Sequence, residues 1–519
     1  MKDELNSCNR FAIVIGKKVE HWQHQIVQNM NDAGTSLQLV ITIDNHKPAR
    51  VFWDGRDAHV EVVGVEDVTI DLCERYHLSF ILQFEACQLE HVVSALPFGV
   101  WTFRGHDGCV LNSHLAFKET LESQRTTSIY LTMNQGNDEE VVLKEGHVTT
   151  VLHSLKATKK EVYETITSWP PLLLNVLQKK PERTFKGYSI RPVRDSSPHP
   201  SVQERAQMVL KLGVRNVGRT FQRLFREEYW NVGIVNVPIE TMLSEPVPSS
   251  VSWIPSSTTS YYADPFGLYE DEKVTVYMEE MKPYRVNGVV SRASYTREDP
   301  GVQYEEEAVL QQRNHLSYPY LFREYGDVYC VPETAGRNEV SLYRWCADSQ
   351  CFAHEETLIN NMKAIDSTLF YDGECWWLFC TVLKENRESH NSELHLFYSD
   401  QLKSGWKPHP LNPVKIDSRS SRSAGTPFHV DGTWYRPAQD CSVTYGGAVV
   451  FNKIITLTTE QYEEQVVTTI TPCKESDFPD GIHTLSSVGP YTLLDGKCFR
   501  YHLFTPFRKW IQKTMAIYE

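Results

Sequence analysis

A unit of about 50 to 60 residues recurs five times in the second half of the chain, and it constrains the fold more than any other feature. Its copies open on Ala263-Asp264-Pro265-Phe266, Ser317-Tyr318-Pro319-Tyr320, Asp366-Ser367-Thr368-Leu369, Gly425-Thr426-Pro427-Phe428 and His483-Thr484-Leu485. Most are followed by a Gly or Asp turn and an aromatic strand, as in Gly326-Asp327-Val328-Tyr329, Asp372-Gly373-Glu374-Cys375-Trp376 and Asp431-Gly432-Thr433-Trp434. Each unit is too small to bury its own apolar face, so neighbours must stack. A period near 50 with short aromatic antiparallel strands predicts propeller blades, and five units fit into residues 230–519. Aromatic residues make up 11% of the chain, including 25 Tyr and 12 Trp, and strands and sugar-stacking surfaces both use such residues.

The first half has a different texture. Phe11–Ile15, Leu37–Ile43, Leu78–Phe84 and Gly99–Phe103 read as buried strands, and Val19–Met30 carries Trp22, Ile26 and Met30 at helical spacing. Strands alternating with helices predict a parallel sheet with right-handed crossovers, whose ligands sit beyond the carboxyl ends of the strands. The expected fold is therefore α/β plus all-β: a Rossmann-like parallel-sheet domain over residues 1–180, a linker and basic helix over 181–229, and a five-bladed β-propeller over 230–519. The turn after the first strand, Gly16-Lys17-Lys18-Val19, is not a dinucleotide fingerprint, and no cofactor is expected.

A formal charge of -14 argues against a general nucleic-acid binder. Twelve Lys or Arg between Lys179 and Arg226 are the local exception. They read first as a solvated basic helix and secondly as a dock for an anionic partner or a membrane surface. No run of about 18 apolar residues spans a membrane, and the polar first ten residues do not read as a signal peptide. The twelve scattered cysteines read as reduced thiols. A cytoplasmic protein is expected, and nothing opposes a homodimer. The histidines lack ligand spacing, so no metal site is expected.

Propeller inner strands converge on one axis. That places Asp264, His315, Tyr318, Asp366, Arg422 and His483 around a common pocket, joined from second-strand ends by Glu333, Arg436, Gln439 and Asp440, with Tyr445 as a stacking neighbour. Buried carboxylates, arginines and histidines are costly unless they pair or bind a ligand. Asp264, Glu333 and Asp366 are the catalytic candidates for acid/base chemistry on a sugar, and the others are candidates for substrate binding. The bland alternative is that the aspartates cap turns. In the first half, Arg104, His106 and Asp107 follow the fourth strand and form a second candidate site.

The strings ADPFG (263–267), HLSYPYLF (315–322), VPET (331–334), WWLF (376–379), YRPAQDC (435–441) and GIHTLS (481–486) resemble the propeller at the N-terminus of glucosamine inositolphosphorylceramide transferases, within a superfamily that includes furanosidase-type glycoside hydrolases. That resemblance implies an Asp base on the first blade (Asp264), a pKa-tuning Asp on the third (Asp366) and a Glu acid on the fourth. The fourth blade here reads Arg422-Ser423-Ala424-Gly425, with Glu333 or Asp440 as stand-ins for the acid. Residues 10–180 are similar to the formyltransferase fold, whose Asn-x-His pair is replaced here by Trp101-Thr102-Phe103, with Asp138 near the place of a later Asp. The resemblances imply an enzyme that hydrolyses or transfers a glycosyl group of a sugar or sugar conjugate. The alternatives are formyl or acyl transfer to an amino sugar by the first domain, with the propeller binding substrate, and a non-catalytic glycan-binding or scaffold protein.

Overall fold

The computed structural model describes residues 10–43, 60–136, 140–180, 199–248, 250–255, 260–282, 287–296, 301–384 and 389–507, without the side chains of 305–307. The chain divides into two compact units, Met1–Val214 and Arg215–Glu519. The proline-rich stretch at 181–198 and Asp138 lie outside the described residues.

The described residues of the first unit form seven strands: β1 (Arg10–Ile15), β2 (Ser36–Thr42), β3 (Glu61–Gly64), β4 (Phe80–Gln83), β5 (Val100–Gly105), β6 (Thr126–Asn134) and β7 (Val141–Thr149). They form one sheet in the order β3-β2-β1-β4-β5-β6-β7. Strands β3 to β5 pair in parallel, and β1 is central and buried along Phe11–Ile15, which is why it reads as an unbroken apolar run. The expectation of a wholly parallel sheet is corrected at one edge. There β6 pairs antiparallel with both β5 and β7; β6 and β7 follow one another with no helix between them, and the short helix over Phe117–Glu122 stands between β5 and β6 without making a parallel crossover. Among the described residues, helices α1 (His21–Asp32), α2 (Ile70–Arg75), α3 (Phe117–Glu122), α4 (Leu155–Ile166) and α5 (Trp169–Lys179) accompany the sheet. In α1, Trp22, Ile26, Val27 and Met30 form the buried stripe. Gln23 Oε1 accepts the Glu20 N–H at 2.9 Å, closing the helix start. Helix α6 (Val202–Phe225) follows.

The second unit is a five-bladed propeller. Strands β8 (Arg226–Val235) and β9 (Ser252–Trp253) come first. Blade one is β10 (Tyr261–Glu270), β11 (Lys273–Met281), β12 (Val289–Thr296) and β13 (Gln303–Leu310). Blade two is β14 (Tyr320–Glu324), β15 (Asp327–Val331), β16 (Glu339–Cys346) and β17 (Cys351–Asn360). Blade three is β18 (Ala364–Tyr371), β19 (Trp376–Val382), β20 (Glu393–Ser399) and β21 (Lys407–Pro408), with β22 (Lys415–Ile416) also on β20. Blade four is β23 (Phe428–Val430), β24 (Thr433–Asp440), β25 (Ala448–Leu457) and β26 (Tyr462–Ile470). Blade five takes its inner strands, β27 (Leu485–Val488) and β28 (Tyr491–Tyr501), from the end of the chain, and its outer strands are β8 and β9. The β28–β8 ladder runs from Thr492–Val235 to Tyr501–Arg226 and fastens the ring shut.

Hairpin turns account for the repeated Asp and Gly. Asp431 and Gly432 both have positive φ, as do Tyr325 with Gly326 and Asp271 with Glu272. Two such central residues make the type I′ turn that matches strand twist. The aromatic surplus seals blade against blade: Tyr269 meets Tyr491, Phe322 meets Trp376 and Phe370 meets Trp434, at ring separations of 5.8, 5.6 and 4.7 Å.

Candidate functional site

The recurrent first-strand motif has a backbone cause. Asp264, Tyr318, Asp366 and Gly425 all have positive φ, at 51, 45, 52 and 124°. In β10 and β18 the ladder slips there, between Ala263 and Phe266 and between Ile365 and Thr368. Such bulges re-aim a side chain, and left-handed non-glycine residues cost on the order of 1 kcal/mol or more and cluster at functional sites. At Gly425 any Cβ would sit 1.8 Å from the Leu485 carbonyl oxygen, so only glycine fits.

Three charged groupings meet at these inner ends. In the first, Asp495 of β28 accepts the backbone N–H groups of His483 (2.8 Å), Thr484 (3.1 Å) and Asp264 (3.2 Å), and its carboxylate is paired with His483 Nδ1. Asp264 accepts from the Thr484 hydroxyl at 2.7 Å and from the Tyr318 N–H at 3.3 Å. Burial opposes charge on His483, but Asp495 and Asp264 outweigh it and raise its pKa. In the second, Arg422 forks onto Asp366, donates to Asn391 Oδ1 at 3.0 Å and lies 5.0 Å over the Tyr445 ring. Gln439 Nε2 donates to the same Asp366 carboxylate at 3.2 Å. In the third, His315 Nε2 lies 3.4 Å from Glu279 Oε1, and burial lowers the imidazole's pKa.

Burial pushes the Asp264 carboxyl up to about 6, against the pull of His483. Burial and then the charge of Asp366 push Glu333 up to about 8, against Arg422. Burial together with Asp264 and Glu333 holds Glu279 well above the usual range. Near neutral pH, Asp264 is therefore mostly ionised and Glu333 mostly protonated, the division of labour that acid/base chemistry needs. Glu333 is only half-buried. Tyr445 keeps 37% exposure although burial pushes its phenol far up, which marks a deep group with an open face. Trp230 stacks on His483 at 4.1 Å and meets Tyr445 at 6.2 Å, and together these rings form an aromatic wall.

Among the described residues, Asp264, His483 and Asp495 are the cluster with metal-ligating geometry. Each carboxylate oxygen there already accepts from an N–H or O–H group, and His483 Nδ1 is paired with the Asp495 carboxylate.

The structure brings together Asp264, Asp366, Arg422, Gln439, Tyr445 and His483, with Glu333 acting electrostatically on the same group. Three of the other sequence candidates are corrected. Tyr318 is fully buried; its hydroxyl accepts the Gly425 N–H at 2.8 Å and bonds Thr368 at 2.9 Å, so it ties three blades together and presents nothing to a ligand. Arg436 is also fully buried, held by Glu464 and by the carbonyls of Ser420 and Ser421. Asp440 caps its own turn by accepting from Ser442 N and Oγ. Tyr318→Phe is expected to leave the Gly425 N–H unpaired and to lower unfolding stability by about 1–3 kcal/mol with sugar affinity unchanged; urea denaturation and calorimetric titration read the two effects. In the first unit, Arg104 is buried against Glu140 at 2.5 Å and Asp107 caps the Cys109 N–H, while His106 is exposed and acts electrostatically, with Asp107, on Glu119.

Sequence reading missed Glu279, Asp495 and Trp230. Glu279 pairs with Ala263, the residue before the left-handed Asp264. Glu333 stands in the same relation to Ser317 before Tyr318, so the rule that singled out Glu333 also finds Glu279 when applied to blade one.

The fold and site define a five-bladed propeller with a charged, aromatic-walled centre. Residues 236–481 match the family described as "Glucosamine inositolphosphorylceramide transferase 1, N-terminal", so the resemblance carried by the ADPFG and HLSYPYLF strings is borne out over this span. A glucosamine inositolphosphorylceramide transferase 1 of Oryza sativa subsp. japonica is 32% identical over 209 residues, 40% of this chain and 28% of the relative. Its namesake in Arabidopsis thaliana is 29% identical over 226 residues, 43% of this chain and 29% of the relative. The chain thus spans less than a third of the length of these curated relatives. Among solved structures, the catalytic domain of the Coprinopsis cinerea GH62 alpha-L-arabinofuranosidase is 14% identical, over 48% of this chain and 98% of that one, with a TM-score of 0.33, too distant a likeness to carry an argument.

Proposed function

We propose that the propeller acts on the glycosidic bond of a sugar conjugate, with Glu333 as general acid and Asp264 as general base. The observation that carries this reading is the pair of carboxyl groups at the blade ends, held at about 8 and about 6, on either side of neutrality. Glu333 protonates the leaving oxygen. Asp264 takes the proton of the incoming hydroxyl, which is water in hydrolysis and an acceptor alcohol in transfer. Asp366, fixed by Arg422 and Gln439, positions the sugar, and Tyr445 and Trp230 offer ring faces for stacking. The relatives, named as glucosamine transferases acting on an inositolphosphorylceramide, support an amino sugar on a lipid conjugate as the substrate class.

The first unit fits the reading of a repurposed formyltransferase-like domain. Its strand order reverses between β1 and β4, as in doubly wound sheets. Trp101 and Phe103, at the place of the Asn-x-His pair, are fully buried core residues, which favours loss of formyl transfer.

The test is a panel of aryl glycosides of amino and neutral sugars, with turnover and calorimetric binding measured on the full chain. Turnover of at least one member is expected. Tight sugar binding without turnover would instead favour a glycan-binding module, and neither binding nor turnover would remove the carbohydrate reading altogether.

A further inference from the structure

Helix α6 is amphipathic with its apolar side facing outward. At about 100° per residue, Val209, Leu210, Val214, Val217, Phe221 and Leu224 fall within an arc of about 140° on one side. They are exposed, from 42% at Leu224 to 73% at Val217. The opposite arc carries Lys211, Arg215, Arg219 and Arg223, and Met208 on that side is the helix's buried residue. Five basic residues stand in this helix against one acidic residue, Glu204, in a chain of net charge -14. The apolar surface continues beyond the helix. Phe221 stacks on Tyr501 at 6.2 Å, the His502 N–H donates to the Phe225 carbonyl at 3.0 Å, and Leu503, Phe504 and Phe507 are exposed at 84, 76 and 60%.

We propose that α6, with the adjoining Tyr501–Phe507 segment, lies on the surface of an anionic phospholipid bilayer. The pattern is that of an interfacial helix, with a bulky apolar face immersed at the headgroup boundary and a basic polar face above it. No helix of the described residues is long and apolar enough to cross a membrane, so the helix lies on the bilayer. A second copy of the helix is a poor occupant for the apolar face. Two such helices carry ten basic residues against two acidic ones, so the flanks of such a seam have almost no complementary charge to pair. An anionic bilayer complements the charge, and each basic residue near such a surface strengthens binding about fivefold at physiological salt.

The test is flotation of the full chain with vesicles of phosphatidylcholine alone or with one third phosphatidylserine. Binding to the anionic vesicles alone is expected, weakening with salt. Phe221→Asp with Val217→Asp, on exposed positions, should cut partition on the order of tenfold or more with an unchanged melting curve, and Arg219→Glu on the order of tenfold. Equal binding to both vesicle types, binding indifferent to these variants, or no vesicle binding would each overturn the proposal. A concentration-dependent dimer that the Asp variants abolish, without vesicle binding, would assign the face to a second copy.

Discussion

Glu333→Gln is expected to lower glycosyl turnover by a factor of about 10²–10⁴ while leaving the protein folded. Glu333 is pushed up to about 8 by burial and by Asp366, so its folded form is largely neutral at pH 7. The glutamine amide matches it in shape and in charge. Stability should therefore hardly change, whereas the proton that the leaving oxygen needs is gone. Substrate affinity should stay within a few fold, because the lost interaction belongs to the transition state. Asp264→Asn is expected to act in the opposite half of the profile by removing the base, with a modest stability loss because the Tyr318 N–H loses its acceptor. Single-turnover kinetics with substrates whose leaving groups differ in basicity separates the two roles. Glu333→Gln should recover with an activated leaving group, and Asp264→Asn should not.

Glu464→Gln carries the largest stability effect. The Glu464 carboxylate is buried in blade four, bonded to Arg436 at 2.6 and 2.9 Å and to Lys415 at 2.8 Å. Burial alone would raise its pKa, but Arg436 and Lys415 outweigh burial and hold it down to about 2. Removing the charge strands a fully buried guanidinium beside a second cation, a loss of about 3–5 kcal/mol. Urea unfolding at pH 7 measures it. The same carboxylate makes a signed contribution to acid stability. Its folded value is depressed, so the stabilisation is fully present above the unfolded value near 4.5 and is lost as pH falls from there through about 2. In the variant that acid limb should be shallower.

The inner strands of the propeller were legible because one backbone geometry recurs. A left-handed residue at the inner-strand ends of blades one to four demands Asp, Gly or a residue held by its neighbours, often before a proline, and so the same letters return. The closure of the ring was not legible. Strand β8 carries no turn signal, and its partner β28 lies at the other end of the propeller sequence, so pattern alone cannot join them. Within the RPAQDC string, side chains alternate between faces. Gln439 therefore turns to Asp366, while Arg436 and Asp440 turn away, and without the strand's phase all three look equally plausible. In the first unit, the alternation of strand and helix carried the sheet as far as β5. The hairpin of β6 and β7 lacks a helix between its strands, and only strand pairing reveals that the edge is antiparallel.

The pH dependence of kcat/KM on a glycoside that the chain turns over bears most directly on Asp264 and Glu333 as base and acid. The expected profile is a bell with limbs near 6 and 8. It should rise as the blade-end carboxylates lose their first proton and fall as they lose the second, and its alkaline limb should disappear in Glu333→Gln. A flat profile between pH 5 and 9, or a Glu333→Gln enzyme with wild-type turnover and an unchanged alkaline limb, would contradict the assignment.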